Sequence, residues 1–65
     1  MMVVLNGAQR EVPDGASIRQ LVAVAGAPSK GVAVAVDGRV VPASRWGDTV
    51  PDRAVVEVLT AVQGG

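Results

Sequence analysis

The sequence contains no cysteine and no histidine. These absences exclude disulfides, thiolate nucleophiles, imidazole bases and most transition-metal sites. Ser17, Ser29 and Ser44 therefore have no imidazole that could activate them as nucleophiles. The six acidic residues form no obvious catalytic pair. We expect a protein that is not an enzyme on its own and that binds no metal and no other cofactor.

Clusters of one charge and long apolar runs are also missing. Six basic residues balance six acidic ones, and both kinds are scattered along the chain. Nucleic acids and anionic membranes are bound through clustered Lys and Arg, so neither is an expected partner. The apolar runs are far shorter than the roughly 20 residues that cross a bilayer. The start has no basic segment or cleavage site typical of a signal peptide. We expect a soluble, cytoplasmic protein.

The residues that are present indicate one small domain rich in strands. A chain of 65 residues has room for one modest core. Of these residues 49% are hydrophobic, which is too many for a disordered chain, and the abundant valine favours strands. Trp46 is the only aromatic residue. We expect Trp46 to pack over one end of this valine-rich core.

The first half of the sequence predicts a hairpin followed by a helix. Residues 1–6 and 8–12 form two strands around Asn6-Gly7, a pair typical of the type I′ turn. Ser17 and Gln20 have the spacing of a helix capping box. Gly26 is suited to end that helix. The apolar stripe of the helix consists of Ile18, Leu21, Val22 and Ala25.

The second half predicts three more strands. Valine and small residues alternate over residues 32–37, and Asp37-Gly38 predicts a second two-residue turn into a short strand at residues 39–41. Residues 43–46 have the length of one helical turn. A last strand follows at residues 55–62. The fold class is therefore α+β, in the order ββαββ, with one helix on one face of a mixed sheet and the first and last strands parallel at its centre.

Strand alternation divides the sheet residues between two faces. The residues expected to face the helix are Val3, Leu5, Val34, Val36, Val56 and Val58. Those expected on the open face are Ala33, Ala35, Val55, Glu57, Leu59 and Ala61. An apolar strip on so small a protein is typical of an interaction site, so Ala33, Ala35, Leu59 and Ala61 are the predicted partner-binding surface.

The sequence ends with Gln63-Gly64-Gly65. We expect residues 1–62 to form the domain and residues 63–65 a flexible tail. Glycine has no side chain and wide backbone freedom, so the tail can enter a narrow channel and place the Gly65 carboxylate in another protein's active site. Three extended residues reach about 10 Å. Chain ends also tolerate glycine without any function, and it is the ββαββ order that favours a functional tail.

Three segments of the chain resemble the ThiS family, the ubiquitin-like β-grasp sulfur carriers of thiamine biosynthesis. They are Val3 to Gly7, Val40 to Trp46 and Val56 to Gly65, and the likeness extends over the whole chain. The last segment is the most specific of the three. The Val-Pro-x-x-x-Trp element at residues 41–46 distinguishes the family from ubiquitin, which also ends in Gly-Gly.

The resemblance implies both a mechanism and its partners. An E1-like adenylating enzyme would use ATP to activate the Gly65 carboxylate, which is the site of covalent attachment. A sulfur donor of the cysteine desulfurase system would convert the adenylate to a thiocarboxylate. Thiazole synthase would then take the sulfur for the thiazole ring. The chain itself would be a protein co-substrate, with Gln63 and Gly64 as its tail.

The sequence departs from the family where Arg53-Ala54 replaces a frequent Gly-Asp. A type I turn at Pro51-Asp52 would preserve the fold there, whereas any contact of the usual Asp does not transfer. We expect Arg45 and Arg53 to be solvated surface charges. Glu57 is either a solvated strand residue or a contact at the rim of an interface.

Three other interpretations stay open at this point. The small subunit of molybdopterin synthase uses the same tail chemistry, although those chains are usually longer and richer in phenylalanine. A ubiquitin-like modifier would be attached to lysines through the same carboxylate. A structural domain with an incidental Gly-Gly would have no use for the tail.

Overall fold

Within the described residues, the helix and all five predicted strands are present, and the short strand at residues 39–41 comes in addition to the four strands of the ββαββ order. The computed structural model describes residues 1–28 and 30–60. Its elements are β1 (Met2–Leu5), β2 (Ala8–Glu11), α1 (Ile18–Val24), β3 (Val32–Val36), β4 (Arg39–Val41) and β5 (Val55–Thr60). A short 3-10 helix, Ala43–Arg45, lies between β4 and β5 at the predicted helical turn.

The five strands form one mixed sheet in the order β2-β1-β5-β3-β4. β1 and β5 run parallel at its centre, and every other neighbouring pair is antiparallel. This arrangement confirms the predicted α+β fold, a β-grasp with a single helix in the described part of the chain.

Both predicted two-residue turns are present. Asn6 and Gly7 have φ angles of 51° and 83°, and Asp37 and Gly38 have angles of 50° and 85°. Positive φ at both central positions is the property of a type I′ turn, whose twist matches that of the flanking strands. The turns therefore fix the registers of β1 with β2 and of β3 with β4.

The helix begins and ends at the predicted residues. The Ser17 hydroxyl accepts a hydrogen bond from the Gln20 amide at 3.2 Å, and the Gln20 side chain accepts one from the Ser17 amide at 2.7 Å. This is the expected capping box. Gly26 follows the helix with φ of 75° and donates its N–H to the carbonyl of Ala23 at 3.0 Å, as in a Schellman motif.

The core lies between α1 and the face of the sheet that it covers. Trp46 is only 4% exposed, and its indole N–H donates to the carbonyl of Val41 at 3.1 Å. The predicted place of Trp46 is thus confirmed. Of the residues predicted to face the helix, Val36 is half-buried and the following are buried: Val3, Leu5, Val34, Val56 and Val58.

The turn before β5 differs from the type I turn predicted at Pro51-Asp52. The amide of Ala54 donates to the carbonyl of Pro51 at 3.2 Å, so Asp52 and Arg53 are the central residues. Arg53 has φ of 64°, which a type I turn does not allow. The turn is tied to β1 instead, since the Arg53 amide donates to the carbonyl of Met2 at 2.7 Å. Arg53 therefore occupies a left-handed position, which glycine adopts without a steric cost.

Replacing Arg53 with glycine should raise the free energy of unfolding. The left-handed conformation costs a side chain about 1–2 kcal/mol, and the greater freedom of glycine in the unfolded chain offsets part of that gain, so we expect a net gain of about 0.5–1 kcal/mol. Urea denaturation measures it. Arg10→Gly in β2 is the matched control and should lower stability. A loss of stability from Arg53→Gly would contradict the assigned strain.

Candidate functional site

The face of the sheet opposite α1 is open in the described part of the chain. Ala33 of β3 is paired with Leu59 of β5, and Ala35 with Glu57. Residues paired directly across neighbouring strands point to the same face. Leu59 is 65% exposed, Ala33 is exposed and Ala35 is half-buried. Three of the four predicted surface residues thus lie together, and the fourth, Ala61, lies outside the described residues.

Val40 also belongs to the open face, although it was not among the predicted surface residues. It is 77% exposed, more than any other large hydrophobic residue among those described. The pairing of Val40 with Ala35 places it beside the predicted surface residues. The sequence held enough information to find it, because a two-residue turn at Asp37-Gly38 pairs residue 36 with residue 39 and therefore residue 35 with residue 40.

Two shallow depressions lie on the open face. The first lies beside the end of β5 and is lined by Gly31, Val32, Ala33, Leu59 and Thr60. The second lies on the other half of the face, with Met2 and Val4 of β1 among its lining residues together with Arg53. Met2 and Val55 are also exposed. The open face therefore carries exposed apolar side chains on strands from β1 to β4.

Glu57 lies within the open face rather than at its rim. It belongs to the central strand β5 and is exposed, between the side chains of Val55 and Leu59 on the same strand and beside Ala35 on β3. No ion pair of the described residues includes Glu57. In the free protein water solvates this carboxylate. A partner that covers the face would have to supply a cation, because burying an unpaired charge is costly.

The end of β5 is held by a side chain of the first turn. The Asn6 side chain accepts a hydrogen bond from the Val58 amide at 2.8 Å and donates one to the Val58 carbonyl at 3.3 Å. We call this pair of bonds the Asn6 clasp. The sequence identified Asn6 only as a turn residue. Its second role depends on β5 running past the turn in parallel with β1, which no local pattern shows.

The other predicted site residues are the last three of the sequence. Gln63, Gly64 and Gly65 lie outside the described residues, so the attachment site at Gly65 stays a prediction. Arg45 and Arg53, which were predicted to be solvated surface charges, are both exposed. Arg45 also forms an ion pair with Asp48 at 3.0 Å.

Residues 1–28 and 30–60 contain no group of three or more acidic side chains that could hold a metal ion. No helix within those ranges is long and apolar enough to cross a membrane.

The chain was compared with known proteins. The family model described as the ThiS family matches residues 3–65. No curated protein matches the chain. Among solved structures, the crystal structure of a thiamine biosynthesis protein (ThiS) from Geobacter metallireducens is similar with a TM-score of 0.74 and 30% sequence identity, over 100% of both chains. The family match over nearly the whole sequence and this likeness in fold lead to one conclusion: the chain belongs to the ThiS family.

Proposed function

We propose that this chain is the carrier that supplies the sulfur for the thiazole ring of thiamine. The observation that supports this most directly is the match to the ThiS family over residues 3–65, which includes Gly64 and Gly65. The likeness to the Geobacter thiamine biosynthesis protein over the full length of both chains supports the same pathway. Neither comparison favours a molybdopterin synthase subunit or a protein modifier.

The chemistry begins at the carboxylate of Gly65. A carboxylate is a poor electrophile, so an E1-like enzyme first joins it to the AMP portion of ATP and releases pyrophosphate. The terminal sulfur of a persulfide from a cysteine desulfurase system then attacks the acyl-adenylate, displaces AMP and forms an acyl disulfide. A second thiol of the sulfur-donor system attacks the donor's sulfur, forms a disulfide with it and releases the thiocarboxylate. Thiazole synthase takes this sulfur. The sequence has no cysteine that could attack the activated carboxyl group from within the chain.

The open face is the surface that would bind the adenylating enzyme. β5 crosses this face and is followed in the sequence by residues 61–65, so a partner bound over Leu59 contacts the strand from which the chain continues to its tail. Gly65 is the sixth residue after Leu59, and six extended residues span about 20 Å. Ala33 adds apolar area beside Leu59, and Val40 adds apolar area beside Ala35.

The charge on the open face indicates which charge the partner's surface carries. The Glu57 carboxylate lies among apolar side chains and has no ion pair with another described residue. The complementary surface is therefore apolar with a Lys or Arg opposite Glu57. We propose that the adenylating enzyme presents such a surface, and that the chain contributes its shape, its face and its terminal carboxylate.

Sulfur loading should be visible in the intact mass of the protein. After expression with the adenylating enzyme and a sulfur donor, the mass should rise by the difference between one sulfur and one oxygen atom. Intact mass spectrometry measures this shift, and deletion of Gly65 is the control that should abolish it. A wild-type chain that never gains sulfur under these conditions would refute the proposed function.

The tail should be sensitive to length and to side chains. An extra residue after Gly65 moves the carboxylate, and Gly64→Val adds a branched side chain where close approach is needed. We expect either change to abolish thiazole formation and to leave the melting temperature unchanged. Gly47→Val is a matched control, since a Cβ at Gly47 meets no atom within 4 Å. Normal thiazole formation by both tail variants would exclude a role for the tail.

Leu59→Asp should weaken binding to the adenylating enzyme at least about tenfold, because it places a charge in a contact that docking removes from water. The stability of the free protein should change little, since Leu59 is 65% exposed. Calorimetric titration measures the affinity, and thermal unfolding the stability. Val24→Asp, on an exposed position of α1, adds the same charge on the other side of the molecule and should leave the affinity unchanged. Equal affinities of wild type and Leu59→Asp would remove the open face from the proposal.

A further inference from the structure

We propose that Asn6 is a positioning residue, which holds the end of β5 so that the tail delivers the Gly65 carboxylate to the adenylating enzyme. This inference rests on the proposed function for the reaction. The geometry of the Asn6 clasp supplies the reason for choosing this residue: both hydrogen bonds join Asn6 to Val58, 52 positions away in the sequence and two residues before the end of β5.

The clasp occupies the place of a missing residue of β1. Along β5, the even-numbered residues direct their backbone groups toward β1: the carbonyl of Ala54 accepts from the amide of Val4, and that of Val56 accepts from the amide of Asn6, both at 2.9 Å. β1 ends at Leu5 and the chain turns away. The next even-numbered residue, Val58, would therefore face no backbone of β1, and the carboxamide of Asn6 takes the place of the missing peptide group.

A second turn side chain holds the other end of β5. The backbone amide of Asp37 donates to the carbonyl of Val55 at 2.8 Å, and the Asp37 carboxylate accepts from the amide of Val55 at 2.8 Å. Since the backbone of Asp37 already satisfies the carbonyl, its side chain has only to accept.

The two ends of β5 therefore require different side chains. At Val58 the Asn6 side chain must both donate and accept, which an amide can do and an ionised carboxylate cannot. The turn itself does not explain this difference, because Asn-Gly and Asp-Gly both suit a type I′ turn. The choice of asparagine at residue 6 is thus explained by the hydrogen-bonding needs of Val58.

The clasp extends the part of β5 that is hydrogen-bonded on both sides. On one side β3 pairs with β5 as far as Thr60. On the other side β1 pairs only with Val55 and Val56, and the Asn6 clasp adds Val58. Val58, two residues before the end of β5, is thereby held on the side of β1 as well. This hold would limit errors in the direction that β5 gives to the residues after it, and small errors in the placement of a reacting group lower a rate strongly.

The test compares Asn6→Gly with Asp37→Gly. Glycine keeps the positive φ of either turn, so each variant loses only the hydrogen bonds of one side chain, and the two losses lie at opposite ends of β5. Each variant is studied as the full chain with the purified adenylating enzyme. The measurements are urea stability, amide hydrogen exchange at Val58, and kcat and KM for thiocarboxylate formation with the chain as substrate.

Asn6→Gly should speed exchange of the Val58 amide and lower kcat about three- to tenfold. KM should change by less than about twofold, because the open face is intact. Asp37→Gly should lose comparable stability with kcat unchanged. Asn6→Asp should lower kcat at least as much as Asn6→Gly, since its carboxylate would face the Val58 carbonyl. Asp37→Asn should be tolerated.

Two results would overturn the inference, and they are distinguishable from failure of the proposed function. If wild type gains sulfur and Asn6→Gly has normal kcat, or if Asn6→Gly and Asp37→Gly lower kcat equally, the role of Asn6 is only structural and the carrier function stands. If wild type itself never gains sulfur, the proposed function and the inference fail together.

Discussion

Parallel pairing between β1 and β5 is the contact on which the rest of the structure depends. It places the strand nearest the tail at the centre of the sheet, where it is held by β1 on one side and β3 on the other. Its inward residues, Val56 and Val58, are buried in the core, while its outward residues lie on the open face. One strand therefore stabilises the fold, forms part of the open face and leads toward the C-terminal residues. In a chain of 65 residues, β5 thus serves the core and the open face at once.

The sequence was sufficient wherever a feature depends on neighbouring residues. Both type I′ turns, the capping box and the burial of Trp46 follow from short patterns, as do the residues that face the helix. Leu59 and Ala33 were placed on the open face by alternation alone. Individual side-chain and turn contacts between segments far apart in the sequence were not found in this way. The Asn6 clasp joins residues 52 positions apart.

The prediction for the turn before β5 was wrong for the same reason. Pro51-Asp52 is locally suited to a type I turn, and tertiary contacts decided otherwise. The amide of Arg53 bonds to Met2 of β1, which draws Arg53 into a left-handed conformation. The local preference of the residue is overruled because β1 and β5 must lie side by side for the core to close.

The central place of β5 has a consequence for synthesis of the protein. β5 is the last of the five strands to leave the ribosome, so the earlier strands cannot close the sheet until it has emerged. A chain broken off before β5 lacks Val56 and Val58 of the core and cannot form the sheet that displays Ala33 beside Leu59. Such fragments would therefore lack the open face. The topology thus couples formation of the open face to the presence of the strand that directly precedes residues 61–65.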